Sequence, residues 1–320
     1  RVEAYGSAPL PTDAVQDKNS TDIEADWDAI REARKKSGTR TRQAAIAVPG
    51  SAAISKRITL PADLSEDDME AQVKMEADQV IPYPLEEVNL DFEVLGESED
   101  NPSTVNVLVV ASRSEHVERR VAAAEAGGLK VRIVDIEPFA VENAYSLIRP
   151  RLPEQGDGKT VAVLDIGASM TGLNVFHDNQ MVYTREHAFG GDQLSERIMQ
   201  RYQLSPQEAE KGKRTGNLAE DYATDLLEPF KEEVADQVNR FLQFFYSASS
   251  FEEIDHIVVG GGTAAINGLA DRIAERVGTQ ASTANPLENM RLSNKISRPM
   301  LANDAPSLLI ACGLALRSFD

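Results

Sequence analysis

Apolar positions change their period repeatedly along the chain, and each change marks an element. Ile23, Trp27 and Ile30 recur at helical spacing and predict a helix over 21–36, closed by Gly38, after a Pro-, Asp-, Ser- and Thr-rich loop over 7–21. Strand-like runs follow at 44–49 and 54–60. Ser65 with Asp68 three residues on resembles a capping box, and Met69, Val73, Ala77 and Val80 place a helix over 66–79, stopped by Pro82 and Pro84. Alternation predicts strands at 88–95 and 105–111, separated by an acidic turn. A helix over 114–126 ends at Gly127-Gly128, a strand runs over 131–136, and Pro138 sits where a helix starts well.

Residues 149–159, with two prolines and two glycines, form the best boundary by composition. Beyond it, three strands crowd together at 161–165, 172–177 and 181–188. Helical periods follow over 192–202 and 207–214, and a long helix over 230–247 carries Phe230, Val234, Val238, Phe241 and Phe245 on one stripe. A strand at 254–259, a glycine triplet, a helix reaching Val277 and a last helix over 305–316 complete the chain. The order is mixed βα, which predicts an α/β fold with its site in a cleft between two strand-rich halves. The first half covers 1–150 with a β-β-α-β-β insert at about 44–112. The second covers 159–320 with a helical part at about 192–250.

Composition narrows the chemistry. The 320 residues carry 33 Lys and Arg against 52 Asp and Glu, a net charge of −19, which argues against sequence-independent nucleic-acid binding. One cysteine, Cys312, rules out an intrachain disulfide and points to a reducing compartment; its apolar helical setting suits a small buried residue. No apolar run reaches membrane-spanning length. The first residue, Arg1, opens a strand-like stretch without a Met, which reads as a chain lacking its natural beginning. The four histidines show no metal-ligand spacing, and neither a G-x-S-x-G elbow nor a Ser-His-Asp triad can be picked out.

Three glycine segments carry the candidate chemistry. Asp165-x-Gly167-Ala168-Ser169-x-Thr171 joins two strands, Gly190-Gly191-Asp192 precedes a helix, and Gly260-Gly261-Gly262-Thr263 follows a strand. Gly turns at strand ends and helix starts hold nucleotide phosphates through backbone amides, and Asp165 would position Mg²⁺ through its water shell. Each segment also has a plain reading, as a hairpin turn or a tight strand-to-helix link. The glycine triplet fits neither the Rossmann spacing nor the Walker loop. Glu210 and Lys213, one helical turn apart, are either a solvated ion pair or a contact for ribose and adenine.

Together the three segments resemble the actin-like ATPase superfamily, which includes sugar kinases, chaperone ATPases and bacterial actin homologues. The resemblance assigns 163–173 to the second phosphate segment, Gly190-Gly191-Asp192-x-Leu194 to the first connecting segment, 258–269 with Ile266 to the adenosine segment, and 304–316 to the second connecting helix. Ala209-Glu210-x-x-Lys213 is similar to the short helix that touches adenosine. Four further stretches resemble the PilM family of type IV pilus assembly proteins: Leu60-Pro61-x-x-Leu64, 76–84 (Glu-Ala-Asp-Gln-x-Ile-Pro-Tyr-Pro), 87–92 (Glu-Val-Asn-Leu-Asp-Phe) and 134–140 (Val-Asp-Ile-Glu-Pro-Phe-Ala).

That resemblance implies a two-lobed cytoplasmic scaffold, peripheral to the inner membrane through its partners, that binds ATP and Mg²⁺ with little or no turnover. Its implied partner is the cytoplasmic N-terminal peptide of PilN, held in a groove bordered by Ile81 and Pro82; capping of the insert's helix explains those two residues equally well. The family begins with a hairpin bearing its own phosphate turn, which the resemblance places ahead of Arg1, leaving half of a phosphate clamp here. Ala168, Ser169 and Met170 stand where many superfamily members have glycines, which tells against hydrolysis more than against binding. The alternatives are a small-molecule kinase and a filament-forming actin homologue.

Overall fold

The computed structural model describes residues 1–11, 15–16, 19–20, 22–98 and 101–319. Thr21 and part of the loop expected over 7–21 lie outside them. Within that loop, β1 (Val15–Gln16) and β2 (Asn19–Ser20) pair antiparallel. Helix α1 (Ile23–Ser37) starts where the Asp22 carboxylate accepts the Glu24 and Ala25 N–H groups and stops at left-handed Gly38.

Strand β3 (Gln43–Val48) is the one expected to open the β-β-α-β-β insert. It pairs in parallel with β7 (Lys130–Ile136) instead. A parallel pair needs a long crossover, and everything between these two strands supplies it. The compact part of that crossover is therefore β-α-β-β: β4 (Ala53–Pro61), α2 (Glu66–Val80), β5 (Val88–Glu97) and β6 (Thr104–Arg113). Its antiparallel sheet has the order β4-β6-β5. Helix α2 lays Met69, Val73 and Ala77 on that sheet, against Leu60, Val107, Val109 and Ala111. The Ser65 hydroxyl caps α2 by accepting the Asp68 N–H and donating to the Asp68 carboxylate, half of the expected box. Helix α3 (Ser114–Ala126) completes the crossover and ends at Gly127-Gly128 as expected.

Helix α4 (Glu137–Ile148), with Pro138 in its first turn, leads from β7 toward the second half. A 3-10 turn over Arg149–Arg151 and a turn over Pro153–Gly156, with Glu154 and Gln155 at positive φ, fill the boundary. Strands β8 (Thr160–Ile166), β9 (Thr171–His177) and β10 (Gln180–His187) form an antiparallel meander, whose second turn places both Asp178 and Asn179 at positive φ. Helices α5 (Asp192–Tyr202), α6 (Pro206–Thr215) and α7 (Glu228–Ala248) follow, α7 entered through a π turn over Ala223–Leu227. Strand β11 (His256–Gly260) adds in parallel to the open side of β8; after α8 (Leu269–Val277), β12 (Ala281–Thr283) adds to β11. The sheet order is β10-β9-β8-β11-β12.

Central strand β8 is buried along almost its whole length because both faces are covered. Ala162, Leu164 and Ile166 face Phe230, Val234, Phe241 and Phe245 of α7. Val161 and Val163 face Val141, Ala144 and Ile148 of α4, and Phe176 of β9 stacks on Tyr145 at 4.1 Å. Each fully buried Phe or Leu contributes on the order of 1.5–3 kcal/mol. The last helix, expected over 305–316, is confined to α10 (Leu309–Leu314); a 3-10 turn over Ala305–Leu308 precedes it, and before that lies α9 (Arg298–Asp304), which was not expected and which Pro306, lacking an N–H, cannot continue. Helix α10 crosses α4 so closely that a Cβ at Gly313 would overlap the Ala140 carbonyl.

Candidate functional site

The three glycine segments converge beyond the ends of β8 and β11. Asp165 sits in β8 opposite Gly172 of β9 and Gly260 of β11, so its half-buried carboxylate is flanked by glycine on both sides. The chain then turns tightly over 167–170, the Gly167 N–H donating to the Met170 carbonyl (2.9 Å). Gly191 N–H donates to the Gly167 carbonyl (3.0 Å) and Asp192 N–H to the Ala168 carbonyl (2.9 Å). A Cβ at Gly190 would lie 2.7 Å from Gly167 O and overlap the Ala168 carbonyl, so only glycine permits this approach.

The third segment closes on the same turn. The Thr263 hydroxyl donates to the Gly167 carbonyl at 3.0 Å. Gly261 has a φ of 87°, its N–H donates to the Pro306 carbonyl (2.7 Å), and a Cβ there would overlap Ile166. Gly262 differs: it is exposed, and a Cβ would meet nothing within 4 Å. It is a flat piece of backbone facing open space.

Helix α6 forms the far wall. It is held by a full capping box between Ser205 and Glu208. One turn further, Lys213 donates to Glu210 (2.6 Å) and to the Ser195 hydroxyl of α5 (2.7 Å). A Cβ at Gly191 would stand 2.6 Å from the Thr263 hydroxyl and 3.8 Å from the Lys213 amine, so these parts share one cradle. Asp192 belongs to it: burial raises its carboxyl above the usual range, Lys213 opposes that rise, and Glu210 and Glu196 add to it.

The sequence-predicted residues thus divide. Ala168, Ser169, Asp192, Glu210, Lys213 and Gly262 retain exposed surface. Thr171 is 1% exposed and its hydroxyl donates to the Phe189 carbonyl (2.8 Å), so its side chain anchors the connecting segment. Gly190, Gly260 and Gly261 are buried packing points, Thr263 is a bridge, and Ile266 rests on the core. Ser195 was not anticipated, although it lies one turn into the helix that Asp192 begins. Among the described residues no three His, Cys, Asp or Glu side chains converge on a common point.

The groove residues lie apart from this cradle. Ile81 is 6% exposed and packs with α2 in the core of the β4-β6-β5 unit, whereas Pro82 is exposed. Beside them a narrow cleft of about 80 Å³ runs between that unit and the start of α3, bordered by Ile81, Ile54, Tyr83, Val88, Arg113 and His116. The Arg113 guanidinium lies over the Tyr83 ring at 5.2 Å. Tyr83 was readable as the exposed aromatic between two prolines. Arg113 and His116 become its neighbours only through strand pairing. Among the described residues no helix is long and apolar enough to cross a membrane.

Comparison with known proteins agrees with this geometry. A solved PilM-PilN type IV pilus biogenesis complex is similar over 100% of this chain and 95% of that one, at 28% identity and a TM-score of 0.78. The ethanolamine utilization protein EutJ from Carboxydothermus hydrogenoformans shares the fold at 17% identity and a TM-score of 0.54, over 95% of this chain and 78% of that one. The architecture is the actin-like ATPase fold expected from the glycine segments. The family described as Type IV pilus assembly protein PilM matches residues 1–319. With its glycine turns locked together and this match running along the whole chain, the protein belongs to the PilM family of type IV pilus assembly proteins.

Proposed function

We propose that this chain is an ATP-binding scaffold of the type IV pilus inner-membrane assembly, and that it captures the cytoplasmic N-terminal peptide of PilN. The observation that carries the nucleotide half is the convergence of Gly167, Gly191 and Thr263 on one hydrogen-bonded turn, beside an exposed Gly262. Phosphates would rest on the backbone of Ala168 and Ser169. The adenosine would lie against Gly262, with Lys213, Glu210 and Ser195 at its edge. Bound Mg²⁺ would neutralise phosphate charge, with Asp165 holding its water shell; one carboxylate plus phosphates suffices for such a site. No side chain is assigned as a general base, which fits a binding role with slow or no turnover.

The peptide half rests on the similarity to the PilM-PilN complex and on the Tyr83–Arg113 cleft. An exposed aromatic beside an apolar slot and a cation suits a short peptide carrying an apolar anchor. The protein lies peripheral to the inner membrane through that partner. Nucleotide would influence the cleft only by binding one arrangement of the two halves better than another.

Calorimetric titration with the PilN N-terminal peptide, with and without ATP and Mg²⁺, tests both halves separately. Micromolar peptide binding lost in Tyr83→Ala supports capture at this cleft. An unchanged affinity in Tyr83→Ala removes the cleft, no peptide binding removes the PilN role, and no heat with ATP removes the nucleotide site.

A further inference from the structure

A second concave site shares no lining residue with either, and lies where α1 and α3 end side by side. It is a hollow of about 490 Å³ lined by Arg31, Arg34, Lys35, Gly38, Thr39 and the backbone over 126–128. Residues 31–42 hold six cations and one carboxylate in a chain whose net charge is −19. Lys36 is paired with Glu32 (2.7 Å), and Arg31 has only a loose exposed contact with Asp28 (3.7 Å). Among the described residues, Arg34 and Lys35 have no carboxylate at ion-pair distance.

Cations in the last turn of a helix often do no more than complement its dipole. Here five of the terminal carbonyls of the two helices already have partners. Gly38 N–H donates to the carbonyls of Arg34 and Lys35, and the Ser37 hydroxyl also donates to Arg34 O. At the end of α3, Gly127, Gly128 and Leu129 N–H groups take the carbonyls of Ala123, Glu125 and Ala124. The Arg34 guanidinium is pressed against Gly128, whose φ of 87° and missing Cβ leave it room; a Cβ there would lie 2.8 Å from Nη1. Its Nε is buried and has no hydrogen-bond partner. A guanidinium and an ammonium side by side, neither paired among the described residues, are matched by a tetrahedral oxyanion, which accepts from a fork of N–H donors.

We propose that this hollow binds a phosphate group, carried either by an anionic phospholipid headgroup or by a soluble phosphate compound. Arg34 supplies the oriented donors, and Lys35 and Arg31 supply charge.

Two probes separate the sources: co-sedimentation with phosphatidylcholine vesicles containing about 30% phosphatidylglycerol, and titration with inorganic pyrophosphate. A nucleotide-saturated sample keeps pyrophosphate out of the cradle described above. Binding to vesicles assigns the headgroup, and binding to pyrophosphate assigns a soluble ligand. The Arg34→Gln/Lys35→Gln pair should weaken either by roughly thirtyfold, about fivefold per cation. Should Arg34→Gln disturb the helix pair, Arg31→Glu/Lys35→Glu changes only exposed side chains and should abolish binding. The proposal is overturned if the wild-type chain binds neither probe, or if folded variants bind as well as the wild type.

Discussion

Gly190 and Gly262 make opposite demands on a methyl group, and that contrast tests whether the glycine segments form a site. In Gly190→Ala the new Cβ stands 2.7 Å from Gly167 O and inside the Ala168 carbonyl. Comfortable contact needs about 3.5 Å, so Gly167 O must retreat by roughly 0.8 Å and the nearer Ala168 carbonyl by more than about 1 Å. Overpacking of this kind costs about 1–3 kcal/mol, and the stiffer unfolded chain returns about 0.4–1 kcal/mol. The net loss expected in urea unfolding is about 1–2 kcal/mol. Since the retreat moves the carbonyls that fix Gly191 and Asp192, ATP affinity should fall as well, by about tenfold or more. In Gly262→Ala the Cβ meets open space at an ordinary φ, so only the unfolded-state gain remains and the protein should become about 0.4–1 kcal/mol more stable. Its ATP affinity should nevertheless fall, because the methyl occupies the surface on which adenosine lies. Calorimetry with ATP and urea midpoints on both variants decide the matter. Unchanged ATP affinity in Gly262→Ala together with an unchanged midpoint in Gly190→Ala would refute the reasoning.

Two further outcomes follow from one buried and one partly buried group. Asp135 is 5% exposed at its side chain, accepts Ile136 N–H, and holds Arg317 through two donors at 2.7 Å. Arg317→Met should cost about 2 kcal/mol, less than the roughly 3–5 kcal/mol of a fully buried pair because the guanidinium is partly solvated, and adding Asp135→Asn should restore part of it; an unaltered urea midpoint in Arg317→Met would contradict this. His187, stacked on Phe241 at 3.8 Å, is held below the usual histidine range by burial first and by Arg185 second. Its depressed folded value means that its contribution is present above the unfolded value of about 6.5 and is lost as pH falls from there toward the folded value. The wild type should therefore lose stability across that window more steeply than His187→Leu, by no more than about 1.4 kcal/mol per pH unit, and equal slopes in urea melts at pH values spanning the window would exclude it.

What the chain revealed in advance depended on how local the cause was. Helices over 114–126 and 192–202 announce themselves because Gly127-Gly128 and Asp192 bound a clean period. The partner of β3 was not legible, since the parallel pairing spans the whole β-α-β-β unit and α3, and periodicity carries no information on which strand lies alongside. Pro306 was visible at the start of the expected last helix, but the apolar period that follows it extended the expected helix back over residues 305–308, which form a 3-10 turn. At the site, glycine spacing identified the segments, yet it could not separate Gly262, which faces open space, from Gly190, which is buried against Ala168. The inward turn of the Thr171 hydroxyl follows from Phe189 lying behind it, a contact between separate segments. Ser195, Arg113 and Arg317 acquire their roles the same way.

The crossing of α4 and α10 has a mechanical consequence. Helix α4 begins at the β3–β7 sheet and ends packed on the β8 sheet; α10 starts against the β8 sheet and is followed by Arg317, tied back to β7 at Asp135. Where they cross, Gly313 meets the Ala140 backbone with no side chain between. Interdigitated side chains would act as gear teeth, and sliding would cost whole rotamer changes. At Gly313 no such tooth stands in the way, so a few degrees of rotation about that point meets resistance only from the flanking Leu309 and Ile310, which pack in the same core as Val141 and Ala144 of α4. Any rotation of the two sheets about that close approach would carry the distant β4-β6-β5 unit through an arc proportional to its distance from Gly313.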